Sequence, residues 1–319
     1  MAEVECIRSR YYLSGELQTL RKFLFITTRE ILQNFSFKNY GIALAIIFVT
    51  CFFNYYTGFH FWLRGAHFLH SLVWYTVLFF VFFVAGILIE AGRFSAKNKT
   101  LFALLFIAPF LFALKVTVPF FHLIPQYLPE NYKHAFQQPA SWFGGVLFIS
   151  LSLLFIHRFT EEKWSLYGTK KTSSLSPYLL LIAFMIPLLL WASLQKDFSL
   201  VYPRAKLITD SFGSEAKPWH YVLFETAYAS DFITIELFFR GFLIITLSRV
   251  LGRQSILPVA LFYFSIHLGK PMFEAISSFF GGIILGTISY NSKSIWGGWL
   301  VHVSIALLME LFGCLFRAA

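Results

Sequence analysis

The chain has 319 residues, of which 57% are hydrophobic, 20% aromatic and only 13% charged. A soluble globular chain carries about 25% charged residues, so the composition excludes an ordinary soluble domain and points to a polytopic helical membrane protein. The net charge of +10 does not indicate nucleic-acid binding. In a membrane protein excess Lys and Arg sets orientation, no RNA or DNA motif accompanies it, and no nucleic-acid partner is expected.

Residues 1–38 hold Arg8, Arg10, Arg21, Lys22, Arg29 and Lys38, with Leu13, Leu17, Leu20, Leu24 and Ile31 at helical spacing. This pattern fits a basic amphipathic helix lying on the inner membrane surface, and equally a solvated helix packed on the protein's own loops. The segment is too charged for a cleavable signal peptide, and none is expected. Cys6, Cys51 and Cys314 are far apart and odd in number, so neither a disulfide framework nor a zinc site is implied.

The spans follow. A helix needs about 20 apolar residues to cross the hydrocarbon core. Residues 39–63 and 65–89 contain no Asp, Glu, Lys or Arg. Residues 100–122 are interrupted only by Lys115, and 134–157 and 172–195 give the fourth and fifth spans. A polar connecting loop, 196–218, separates these five spans, 39–195, from a C-terminal core, 219–319. In the core the expected spans are 219–248, 254–268, 271–290 and 294–315. The expectation is thus an all-α membrane helix bundle of nine helices, or eight if the short seventh and eighth segments do not both cross. With the N-terminus inside, Lys and Arg concentrate in the inner segments, which supports that orientation. The setting expected is the inner, cytoplasmic membrane of a bacterium.

The chemistry sits in the C-terminal core. Glu236 and Arg240 are one helical turn apart within Ile235-Glu236-Leu237-Phe238-Phe239-Arg240-Gly241, and an i, i+4 pair shares a face. A charged side chain in hydrocarbon costs at least about 2.5–3.5 kcal/mol. Two later segments carry one histidine each, His267 and His302. At about 1.5 Å per residue, Glu236 lies about 20 Å from its inner end, His267 about 18 Å and His302 about 13 Å. One shared site is therefore possible. Glu225 projects about 20° from Glu236, whereas Asp231 projects about 140° away, on the face of Ile235. Lys270 and Glu274 sit at the outer end of the eighth span, whose Gly282-x-x-x-Gly286 allows close helix approach. A structural ion pair for Glu236 and Arg240, a backbone-bonded His267 and a satisfied core His302 remain open. Lys115 reads as a snorkelling or cavity-facing residue. A metal site from His267, His302 and Glu236 would be a His₂Glu set, but the residues come from three helices without a His-Glu-x-x-His spacing, and none is expected.

Residues 220–315 resemble the CAAX-protease and bacteriocin-processing (CPBP, Abi) intramembrane peptidases. The resemblance rests on Glu236-Leu237-Phe238-Phe239-Arg240-Gly241, then Phe262-Tyr263-Phe264-Ser265-Ile266-His267, then Ser294-Ile295-Trp296 leading to His302. It implies glutamate-dependent, metal-independent peptide hydrolysis in the membrane, with no cofactor and a membrane-associated protein or peptide as substrate. In that family the first Glu of a pair and the first His activate water. The second His and an Asn steady the oxyanion, and the second Glu pairs with the Arg. Here the first Glu is replaced by Ile235 and the Asn by Ala306. Three carboxylates are candidates for the missing base: Glu236 itself with His267, Asp231, and Glu274. The catalytic set expected is Glu236, Arg240, His267, His302 and Asp231, with Glu274 and Lys270 toward substrate. Ile235 and Ala306 also motivate an inactive relative that binds a membrane partner. Lys115, Glu225 and Asp231 suggest a transporter pathway, although the internal repeats expected of many transporters are absent.

Overall fold

The computed structural model describes residues 36–65, 67–92, 99–159, 166–169 and 175–316. All but the last three residues of the basic segment 1–38 lie outside them. The described residues are overwhelmingly helical, with no strand among them. The protein is an all-α, polytopic membrane helix bundle.

The main helices are α1 (Phe37–Thr57), α2 (Phe68–Ala91), α3 (Lys99–Thr117), α4 (Glu130–Phe159), α5 (Ser176–Ser193) and α6 (Pro218–Ile235). The last runs into a π-helical segment, Glu236–Ile244, and on into α7 (Ile245–Leu251). Then come α8 (Ile256–Ser265), α9 (Met272–Ser292) and α10 (Trp296–Leu315). Seven of these, α1 to α5, α9 and α10, are each long and apolar enough to cross a membrane. The expected sixth span is the continuous run 218–251. The expected seventh contains only the ten-residue α8, about 15 Å long. All ten of its residues are buried, so it is an interior helix wrapped by others.

The core explains that burial. Phe262 on α8 lies 5.3 Å from Phe79 and 5.6 Å from Phe83, both on α2, and 5.2 Å from Phe239 in the π segment. Phe112 on α3 completes the nucleus, 4.9 Å from Phe238 and 5.1 Å from Phe239. Such ring pairs contribute about 0.5–1.5 kcal/mol each beyond burial. The first five spans and the C-terminal core therefore share one interior. Small residues set its spacing: Gly86 on α2 abuts the Pro258 backbone, and Gly282 on α9 abuts Ala260. Gly286 faces Ile256 and Ile244, whereas Gly281 faces open space.

The polar loop 196–218 is pinned to the bundle. Glu310 on α10 accepts hydrogen bonds from the Arg204 and Ala205 amides, at 2.9 and 3.0 Å. Asp197 accepts from the Met272 amide at 3.0 Å, satisfying one of the free N–H groups at the start of α9.

Because a Cβ at position 86 would overlap Pro258 Cα, Gly86→Ala must push α2 from α8. The expected loss is about 1–3 kcal/mol, read as a lowered unfolding midpoint in detergent. An unchanged midpoint would contradict this packing.

Candidate active site

Glu236 opens the π segment and is 0% exposed; Arg240 is 1% exposed. Segments of this kind are rare and frequent at functional sites. Arg240 Nε lies 3.5 Å from Glu236 Oε1. The second partner comes from α10: His302 Nδ1 lies 2.8 Å from the same oxygen, in a contact that is close but bent. The sequence of α10 explains the approach. A Cβ at Gly298 would collide with Glu236 Oε2, and one at Gly297 would collide with the Tyr178 ring of α5. Gly298 thus leaves a notch for the carboxylate, and His302, one turn later on the same face, meets it.

Tyr263 on α8 joins these groups. Its hydroxyl lies 2.9 Å from His302 Nε2, and its ring carries the Arg240 guanidinium at 4.2 Å. Its carbonyl accepts from His267 Nδ1 at 2.9 Å. A carbonyl only accepts, so Nδ1 of His267 holds the proton and Nε2 presents its lone pair. His302 also stacks on Phe232, one turn before Glu236, at 5.7 Å.

The turn carrying His267 is buttressed from α1. Asn54 Nδ2 donates to the Leu268 carbonyl at 2.7 Å and Tyr55 Oη to the Lys270 carbonyl at 2.5 Å.

The other candidate carboxylates each have a cation. Asp231 pairs with Lys115 of α3 at 2.9 Å, and Gly145 of α4 leaves room for the lysine stem. Glu274 pairs with Lys270 at 3.3 Å and accepts from Tyr202 Oη at 3.0 Å. Arg204 packs over Tyr202 and Tyr228, at 5.6 and 5.4 Å. Glu225 Oε2 is buried and has no hydrogen-bond partner among the described residues. Side-chain exposure rises from zero at Glu236 to 12% at His302. It is 17% at Asp231 and 13% at Lys115, then 19% at Glu274 and 28% at Lys270. Among these polar groups Glu236 is thus the most enclosed and Lys270 the most open.

Glu236, Arg240 and His302 are therefore brought into contact, and His267 joins them through Tyr263. Asp231 is held by Lys115, and Lys270 and Glu274 hold each other. Ile235 and Ala306 are buried and offer no proton-handling atom. Among the described residues no group of three or more His, Cys, Asp or Glu is arranged to hold a metal. Sequence reasoning missed Tyr263 as a site residue. The available signal was its hydroxyl, four residues before His267, amid Phe262 and Phe264.

Gly298→Ala is expected to cost about 1–3 kcal/mol through overpacking. Gly281→Ala, into open space, is the control and should be neutral or stabilising by up to about 1 kcal/mol. Paired unfolding midpoints in detergent check both.

No curated protein and no solved structure matches the chain. Residues 217–308, the region that holds Glu236, Arg240, His267 and His302, match the family model described as Rce1-like, type II CAAX prenyl endopeptidase.

Proposed function

We propose that the protein is an intramembrane endopeptidase that hydrolyses a peptide bond in a membrane-associated protein or peptide. The observation that carries this reading is the convergence of both histidines on Tyr263, with a carboxylate at His302 Nδ1. Peptide hydrolysis needs an acceptor for a water proton and groups aimed at the developing charge, in a site poor in water. His267 Nε2 offers a lone pair, and Asp231 and Glu274 are partly exposed. Lys270 and Glu274, the most open of these groups, are assigned to substrate contact in this reading. The family match at 217–308 supports the same reaction class. The setting proposed is a bacterial inner membrane with the N-terminus cytoplasmic, supported by the Lys and Arg bias of the loops.

Ile235 and Ala306 favour a second reading, a non-hydrolytic relative that binds a membrane partner. Purified protein in liposomes, given membrane-tethered peptides with and without an isoprenyl group, separates the two. The endopeptidase reading expects cleavage, reduced at least about 100-fold by His267→Ala with the unfolding midpoint retained. No cleavage of any peptide by the unaltered protein would leave the binding reading.

A further inference from the structure

Away from Glu236, a second concentration of charge lies at one end of the bundle, where α1 begins and α2 stops. The short link Gly252–Ser255 reaches that end. Gln254 Nε2 donates to the Glu90 carbonyl at 3.3 Å, and Asn39 Nδ2 donates to the Glu90 carboxylate at 3.0 Å. Three cations gather here from three pieces of chain. Arg249 is in the last turn of α7, Arg253 in the link, and Lys293 caps the end of α9. Arg253 and Lys293 both lie over the Tyr290 ring, at 5.5 and 4.4 Å. Burial, and then the charge of Arg249, hold the Lys293 ammonium below its ordinary pKa.

Two observations set this group apart from the scatter of Lys and Arg expected beside a membrane. One is the shared ring. A single tyrosine collects two cations, each attracted by the ring face but repelled by the other unless an anion lies near both. The other is the backbone of Lys293. It is left-handed, with φ +52°, and its amide bonds to the Ser289 carbonyl at 2.9 Å. Glycine usually fills that place after a helix, because a Cβ there is strained. A lysine held in that conformation, over a ring that already carries an arginine, is not explained by the need to end a helix.

We propose that Arg249, Arg253 and Lys293 bind the phosphate of an anionic lipid headgroup beside Tyr290.

The chemistry fits a phosphate. Arginine donates in a planar fork that matches phosphate oxygens, and lysine adds a compact point charge on a flexible stem. A bound anion also relieves the crowding of like charges around Tyr290. The place fits a lipid. Trp296 opens α10 just after Lys293, is 37% exposed, and donates its indole N–H to the Thr169 carbonyl at 2.8 Å. Tryptophan and tyrosine at helix ends mark the level of the headgroups, so Tyr290 and Trp296 put the three cations where lipid phosphates lie. Basic pockets between helix ends are a recurrent site for such headgroups. The site is independent of the endopeptidase reading: a non-hydrolytic relative with the same packing carries it too.

Native mass spectrometry of the purified protein, titrated with phosphatidylglycerol in neutral detergent, tests the assignment. Arg253→Gln and Lys293→Gln should each weaken the tightest-bound phosphatidylglycerol about fivefold, the loss expected for one cation near a charged headgroup. Lys38→Gln removes an exposed cation from the start of α1, at the same end of the bundle. It should leave the affinity within about twofold. Lys293→Gly guards against a simple loss of fold. Glycine suits the left-handed turn, so the unfolding midpoint without lipid should not fall, while the affinity drops as in Lys293→Gln. Equal weakening by Lys38→Gln, or no weakening by Arg253→Gln and Lys293→Gln, would overturn the site and leave only diffuse attraction. Phosphatidylcholine bound as tightly as phosphatidylglycerol would overturn the choice of an anionic headgroup. Inorganic phosphate displacing phosphatidylglycerol at equal concentration would overturn the choice of a lipid.

Discussion

A carboxylate sealed from water in the middle of a membrane bundle is the constraint around which this structure is arranged. Glu236 is 0% exposed, and in real proteins the effective penalty for burying one ion is several kcal/mol. Arg240 offsets the charge from one side and His302 meets it from another. Bringing α10 that close requires the bare backbone of Gly298, and bringing it against α5 requires Gly297 beside Tyr178. The π turn belongs to the same arrangement. It keeps nine successive buried residues packed against the neighbouring helices while the ion pair stays closed. Breaking such a pair by removing one partner costs about 3–5 kcal/mol, so the site and the packing of the core stand or fall together.

The five N-terminal spans, which carry no signature in the sequence, hold the site in place. Asn54 and Tyr55 of α1 take up the carbonyls of Leu268 and Lys270, which fixes the turn that presents His267. Lys115 of α3 neutralises Asp231. Phe79, Phe83 and Phe112 pack the floor beneath Phe238, Phe239 and Phe262. These contacts are long-range and involve residue types common on any membrane helix. A single chain read in order gives no way to pair Asn54 with Leu268.

What was legible was what periodicity and cost make visible. Apolar runs located the membrane helices, because hydrocarbon tolerates few charges. Glu236, Arg240, His267 and His302 stood out because each is expensive where it lies. Three features were hidden. The π segment has the apolar pattern of an ordinary helix, which does not betray the wider turn. The stretch 254–268 looks like a span because a fully buried interior helix and a membrane helix are equally apolar; only its ten-residue helical length separates them. Tyr263 was hidden because one hydroxyl among phenylalanines looks like packing.

The pairing pattern bears on how a proton can move here. Asp231, Glu236 and Glu274 each have a dedicated cation, and this keeps the polar groups near net neutrality. A carboxylate held by a lysine or arginine accepts a proton only by leaving that cation uncompensated in a low dielectric, which is costly. Beside these carboxylates stand His267, His302 and Tyr263. They are also the groups that meet one another, through the Tyr263 hydroxyl and carbonyl. If a carboxylate had stood at position 235 it would have needed either a cation or a proton of its own. With Ile235 there instead, the buried pair of Glu236 and Arg240 meets no third charge from that position.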